Sequence, residues 1–130
     1  MEEKDVVKQE QTKLGSIKIA DEVVKIIAGL AATEIDGVVG MSGGVVGGIT
    51  EILGRKNLSK GIKVEVGEKE TAIDLSMIIS YGARIPEVAA HVQEKVKQEV
   101  EKMTGLNVVE VNVNVQGVSF GQEGKDKEKE

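Results

Sequence analysis

The chain has 130 residues, of which 17 are Lys or Arg and 22 are Asp or Glu, so its net charge is −5 and its length suits one domain. The absence of Cys excludes disulfides, thiolate nucleophiles and Cys-type zinc sites, and a single His excludes a multi-His metal site within one chain. The negative charge and the presence of only two aromatic residues, Tyr81 and Phe120, argue against nucleic acid as a ligand.

Both ends of the sequence are strongly charged and poor in apolar residues. Residues 1–13 and 121–130 offer almost nothing to bury, which predicts disordered tails on either side of a single domain at 14–120. The sequence contains no signal-peptide pattern and no run of 18 uncharged apolar residues. We therefore expect a cytoplasmic protein without a membrane span.

The first predicted elements are a strand and a helix. Residues 15–20 alternate, with Ile17 and Ile19 on one side, as in a short strand. Asp21 is a candidate N-cap for a helix with a wide apolar stripe that includes Val23 and Leu30. Glycine at position 37 ends this helical pattern.

Two strands, a second helix and a last strand follow a glycine-rich segment. The runs at 62–66 and 71–81 alternate, and the short turn between them predicts an antiparallel hairpin. Pro86 marks the first turn of a helix whose apolar residues, through Met103, recur every three or four positions until Gly105. Residues 107–116 then alternate strictly, and Gly117 predicts a bulge or a strand end.

The order β-α-loop-β-β-α-β predicts an α+β fold in two layers. Because each strand is apolar on one face only and each helix has one apolar stripe, we expect a single, mainly antiparallel sheet with two helices on one face. The predicted core consists of Ile17, Ile19, Val64, Ile73, Leu75, Met77, Val92, Val96, Val100, Val111 and Val113.

The segment 37–61 contains eight glycines and is long for a loop of so small a domain, which favours a functional role. It lacks the spacing of a phosphate-binding loop, and the GVVG at 37–40 has apolar middle residues, unlike a nucleic-acid clamp. Its apolar and basic residues fit either a contact with a protein or plain packing over the sheet edge. The candidate partner-binding residues are Val38, Val39, Met41, Gly43, Gly44, Val45, Val46, Gly47, Gly48, Arg55, Lys56 and Lys60.

No set of side chains has the spacing of a catalytic or metal site. Asp74 and Glu110 fall on polar strand positions and His91 on the flank of the second helix, where no pocket is expected to tune their acid–base chemistry. We therefore expect no enzyme activity, no cofactor and no metal.

Three stretches of the sequence resemble the alkaline shock protein family of Gram-positive bacteria. They are GSIKIADEVVKIIAGLAATEIDGVVGMSGG at 15–44, LGRKNLSKGIKVEVG at 53–67 and AIDLSMIISYGARIPEVAAHVQEKVKQEVEKMTGLNVVEVNVNVQGV at 72–118. The resemblance covers about residues 14–120 and implies a cytoplasmic, non-enzymatic protein tied to cell-envelope stress and homeostasis. It also implies that a membrane-anchored partner holds some relatives at the inner membrane face.

Two functions stay open at this point. The favoured one is an interaction module in the envelope stress response, which binds a protein partner through the 37–61 loop and a sheet edge and can also form a homo-oligomer. The alternative is a regulatory module that binds a lipid-synthesis enzyme, linked to acetyl-CoA carboxylase, or a small acyl or anionic ligand. The envelope role and the lipid-synthesis link both come from the resemblance.

Overall fold

The computed structural model describes residues 6–42, 60–67 and 70–120. Within these ranges the protein has two helices and six strands. In chain order they are β1 (Val6–Thr12), β2 (Gly15–Ala20), α1 (Asp21–Thr33), β3 (Val38–Met41), β4 (Ile62–Val66), β5 (Thr71–Ser80), α2 (Ile85–Thr104) and β6 (Val108–Ser119).

Strand β5 lies at the centre of a four-stranded sheet. Strand β6 runs parallel along one side of β5, with Ile73 opposite Val111. The other side of β5 is shared by two short antiparallel strands, because β4 pairs with residues 71–75 and β3 with residues 77–79. Three of the four strand pairings in the described chain are antiparallel, so the predicted α+β class with a mainly antiparallel sheet is confirmed.

Both helices pack on the same face of this sheet. The alternation of β5 directs Ile73, Leu75, Met77 and Ile79 towards the helices, and none of these side chains has exposed surface. Helix α2 contributes a row of valines that recur every four residues, and one of them, Val92, is fully buried. Of the predicted core, Ile73, Leu75, Met77, Val92, Val96, Val100 and Val111 are buried, and Val64 and Val113 are partly buried against the same cluster.

Strand β2 differs from the prediction in its pairing partner. It pairs with β1 in a separate two-stranded hairpin and not with the main sheet. Ile17 is consequently 51% exposed and Ile19 only partly buried, so Ile17 was wrongly assigned to the core. Residues 6–12, predicted to belong to a disordered tail, form the partner strand, because backbone pairing does not require apolar side chains.

Helix α2 covers the first part of the outer edge of β6 with a row of polar side chains. Gln93 Nε2 donates to the Val111 carbonyl at 2.9 Å, and Lys97 Nζ donates to the Val108 carbonyl at 2.8 Å. The Val108 amide donates to Glu101 Oε2 at 2.9 Å. Residues four apart lie on one helical face, so a single row satisfies backbone groups that an edge strand would leave open.

Because of Glu101, the stability of the fold is expected to fall as the pH becomes acidic. The hydrogen bond from Lys97 Nζ, followed by that from the Val108 amide, holds the pKa of Glu101 below its usual value. A carboxyl group whose pKa is lower in the folded state contributes stability above its unfolded pKa, and this contribution is lost as the pH falls through the folded pKa. Glu101→Gln should therefore lower the urea midpoint at pH 7 and reduce its fall between pH 7 and pH 3. An identical fall in both proteins would contradict this role.

Candidate functional site

Helices α1 and α2 enclose an apolar groove on the solvent side of the helix layer. The groove, called the helix groove below, has a volume of about 410 Å³. Its apolar lining consists of Val23, Ile26, Ile27, Leu30, Ala31 and Met103. Val23 is 43% exposed, Leu30 47% and Met103 63%. These three residues belong to the apolar stripes that the sequence predicts to face the core, and the structure places them at the surface.

The composition of α1 explains why the helix groove is apolar. Only four of its 13 residues, Asp21, Glu22, Lys25 and Thr33, have polar side chains. A surface helix normally carries a polar face opposite its core face. The apolar stripe of α1 is wider than the core of this domain can cover, so its remainder faces solvent.

Carboxylates lie at one end of the helix groove. Glu34, just after α1, and Glu99, on α2, both line it. Lys95 Nζ lies 3.3 Å from Glu34 Oε1 and 3.8 Å from Glu99 Oε2. Because two carboxylates share one ammonium group, these three residues leave a net negative charge that a basic ligand group could approach.

The glycine-rich segment leaves and rejoins the sheet at a single point. The Ser42 amide donates to the Ser76 carbonyl at 2.8 Å, and the Ser76 amide donates to the Gly61 carbonyl at 2.8 Å. Ser42 and Gly61, the described residues on either side of 43–59, therefore lie at neighbouring positions beside Ser76.

The described residues include four of the predicted partner-binding residues. Met41 is a core residue of β3 with 7% exposure, so its side chain is not available to a partner as the sequence suggested. Val38 is partly buried against the core, whereas Val39 is 47% exposed and Lys60 is also exposed. The other eight lie outside the described residues: Gly43, Gly44, Val45, Val46, Gly47, Gly48, Arg55 and Lys56.

Two of the polar residues considered for catalysis line surface pockets, Asp74 one of about 230 Å³ and Glu110 one of about 450 Å³, whereas His91 is exposed on α2. On the sheet face that points away from the helices, Asn112 Nδ2 donates to Asp74 Oδ1 at 2.7 Å. Glu110 pairs with Ala72 in the register of β5 and β6. Within residues 6–42, 60–67 and 70–120, no group of three or more His, Cys, Asp or Glu side chains could hold a metal ion. No helix in these ranges is long and apolar enough to cross a membrane.

Comparison with known families identifies the chain at family level. The model of the alkaline shock protein 23 family, which is described as having a cell envelope-related function, matches residues 9–120. The chain belongs to the alkaline shock protein 23 family. The resemblance found in the sequence is thereby confirmed, and with it a role related to the cell envelope.

Several relatives are similar to this chain over most of its length. YqhY of Bacillus subtilis (strain 168) is 39% identical over 117 residues, which cover 90% of this chain and 87% of YqhY. YloU of the same strain is 44% identical over 110 residues, covering 83% of this chain and 92% of YloU. A stress response regulator gls24 homolog of Streptococcus pyogenes is 34% identical over 102 residues, 78% of this chain and 57% of that protein. A solved structure of MamM CTD has a TM-score of 0.46 and 13% identity over 75% of this chain and 95% of that chain, a likeness too distant to inform on function.

Proposed function

We propose that this protein is a non-enzymatic interaction module of the cell-envelope stress response and that its helix groove binds a protein segment. The observation that supports this proposal is that Val23, Leu30 and Met103 are exposed around one groove. Burying apolar surface gains about 25 cal/mol per Å², so a partner that covers these side chains gains affinity from each of them.

The carboxylates of the helix groove define the chemistry of the segment. Glu34 and Glu99 lie beside the apolar lining, and Lys95 is paired with both of them. A segment with one apolar anchor flanked by Lys or Arg would match both features, because opposite charges at the rim guide association and fix register. We further propose that such a partner, anchored in the membrane, recruits this cytoplasmic protein to the inner membrane face.

Photo-cross-linking in the source cells tests this function. A cross-linking amino acid at position 103, in the helix groove, is expected to give an adduct whose partner peptide carries an apolar residue beside Lys or Arg. The same amino acid at position 109 is the control, because Val109 is 52% exposed on β6, outside the groove lining. Leu30→Lys should abolish the adduct at position 103 without changing thermal stability by more than a few degrees. Equal adducts from both positions, or a purely acidic partner peptide, would refute the groove as the binding site.

Three further arms of the experiment address the alternatives from the sequence. Replacing residues 43–59 by a short Gly/Ser turn is expected to weaken the adduct if the glycine-rich loop adds contacts to the partner. Loss of the adduct in excess fatty acid would favour an acyl ligand in the groove. An enzyme activity that disappears on changing His91, Asp74 or Glu110 would contradict the non-enzymatic role.

A further inference from the structure

The polar row of α2 that covers the edge of β6 ends at Gln93, which donates to the Val111 carbonyl at 2.9 Å. Four and eight residues earlier, the same helical row holds Ala89 and Ile85, whose side chains have no hydrogen-bonding group. Four helical residues advance about 6 Å and two strand residues about 7 Å, so Ala89 lies level with Val113. The cover of the edge therefore stops at Val111, and residues 113–118 are called the open edge below.

The backbone of the open edge has free hydrogen-bonding positions. The Val111 carbonyl points outwards, since Gln93 reaches it, and strand residues alternate, so the peptide groups of Val113 and Val115 point outwards too. The register of β6 against β5 is unbroken from Val111 to Val115. Within residues 6–42, 60–67 and 70–120, β6 pairs with β5 alone, so these outward groups have no strand partner.

The apolar side chains of β6 emerge from the core along the same stretch. Val111 is 8% exposed, Val113 and Val115 are only partly buried, and Val118 is 43% exposed. Phe120, just after the strand, is 79% exposed. A strand added at the open edge would therefore bury apolar surface as well as form backbone hydrogen bonds.

The open edge carries no charged side chain. Residues 111–119 contain Val, Asn, Gln, Gly and Ser, and no Asp, Glu, Lys or Arg. Exposed edge strands usually carry charges, above all lysine, which discourage other strands from pairing with them. Strand β4, on the other side of β5, does so with Lys63 and Glu65. An uncharged segment matches the open edge, because a charge facing Ala89 and Ile85 would lose water without gaining a partner.

We propose that an extended, uncharged segment of another protein adds to the open edge of β6 as a further strand. In an antiparallel register its apolar residues lie opposite Val113 and Val115, on the side of Ala89, and its Ser, Thr or Asn residues lie beside Asn114 on the other face. In such strand addition the backbone supplies affinity and the alternate side chains supply specificity. The open edge shares no lining residue with the helix groove, so the inference stands without the proposed role of that groove.

NMR titration of the isotopically labelled full chain with a synthetic peptide tests the inference. The probe is a short peptide in which Val alternates with Ser or Thr. The control peptide has the same side chains but carries N-methyl groups on its valine nitrogens, which removes the donors that would face β6. The probe is expected to shift the Val113 and Val115 amide signals and to slow the exchange of these amides with deuterium. The control peptide should do neither.

Two alanines of α2 provide matched variants. Ala89→Gln extends the polar row by one turn and is expected to cover the Val113 carbonyl as Gln93 covers that of Val111, which should weaken probe binding by about tenfold. Ala90→Gln adds the same side chain at the next residue, which is exposed and turned by about 100° around the helix. This variant should bind the probe like the wild type. Thermal unfolding of both variants checks that the fold is retained.

Each remaining outcome contradicts the inference. Absence of shifts at Val113 and Val115, equal shifts with the N-methylated peptide, or equal affinity of Ala89→Gln and Ala90→Gln would overturn it. Slow exchange of the two valine amides without probe, and slower still at higher protein concentration, would mean that a second copy covers the edge. Probe shifts confined to the helix groove, at Leu30, would support the groove and overturn the edge, so the two proposals fail separately.

Discussion

Leu75→Ala is expected to lower the free energy of unfolding by about 2–5 kcal/mol. Leu75 is fully buried on β5, opposite Ile62 of β4 on one side and Val113 of β6 on the other. Strands on both sides and helices above restrict how far the surroundings can collapse into the space that the mutation leaves. The loss is a large share of a total stability of about 5–15 kcal/mol.

Val109→Ala provides the matched control for this prediction. Val109 is 52% exposed on β6, so its truncation should change the unfolding free energy by less than about 0.5 kcal/mol. Urea unfolding of the wild type and both variants gives the comparison. A Leu75→Ala midpoint equal to that of the wild type would mean that β5 does not occupy the centre of the sheet.

The elements with a long periodic pattern were predictable from the sequence. In β5, and for the valines of α2, the spacing indicates which side chains face the core, because the strand period is two and the helix period is 3.6. Pro86 lies in the first turn of α2, and Gly105 caps the helix in the left-handed region with φ of 78°. Gly117 also marks a bulge, since the register against β5 shifts between Met77 and Ile78, opposite Val115 and Gly117.

The pairing of short strands was not predictable in the same way. An alternating run such as 15–20 predicts a strand but carries no information on its partner, and here the partner is a charged segment with little to bury. Strand β3 has four residues within a glycine-rich segment, too few to show a period. It forms because β5 extends beyond β4 and offers an unpaired edge at residues 77–79.

The helix groove also could not be predicted from the sequence. The sequence shows an apolar stripe on each helix, but the share of each stripe that the sheet covers depends on how the helices lie against each other. Val24 and Val23 are adjacent in α1, yet the first has no exposed surface and the second is 43% exposed. The same applies to Leu14, whose full exposure follows from the pairing of β1 with β2.

Gly61→Ala is expected to cost about 2–5 kcal/mol, more than the same change at Gly82. Both glycines have a positive φ, 76° at Gly61 and 94° at Gly82, where any other residue costs about 1–2 kcal/mol. An added Cβ at Gly82 meets nothing within 4 Å, whereas at Gly61 it would lie 2.7 Å from the Ser42 carbonyl oxygen and 3.0 Å from that of Ser76. The difference in unfolding free energy between the two variants therefore measures the steric crowding at the point where the glycine-rich segment rejoins the sheet.

The Ser76 carbonyl oxygen cannot move freely to relieve the crowding. The Ser76 carbonyl accepts the Ser42 amide at 2.8 Å, so displacing it weakens the bond that holds the end of β3 to β5. The urea midpoint of Gly61→Ala should be lower than that of Gly82→Ala. In amide hydrogen exchange, the Ser42 amide should exchange faster in Gly61→Ala than in Gly82→Ala. Equal midpoints and equal exchange at Ser42 would mean that the two ends of the segment do not meet beside Ser76.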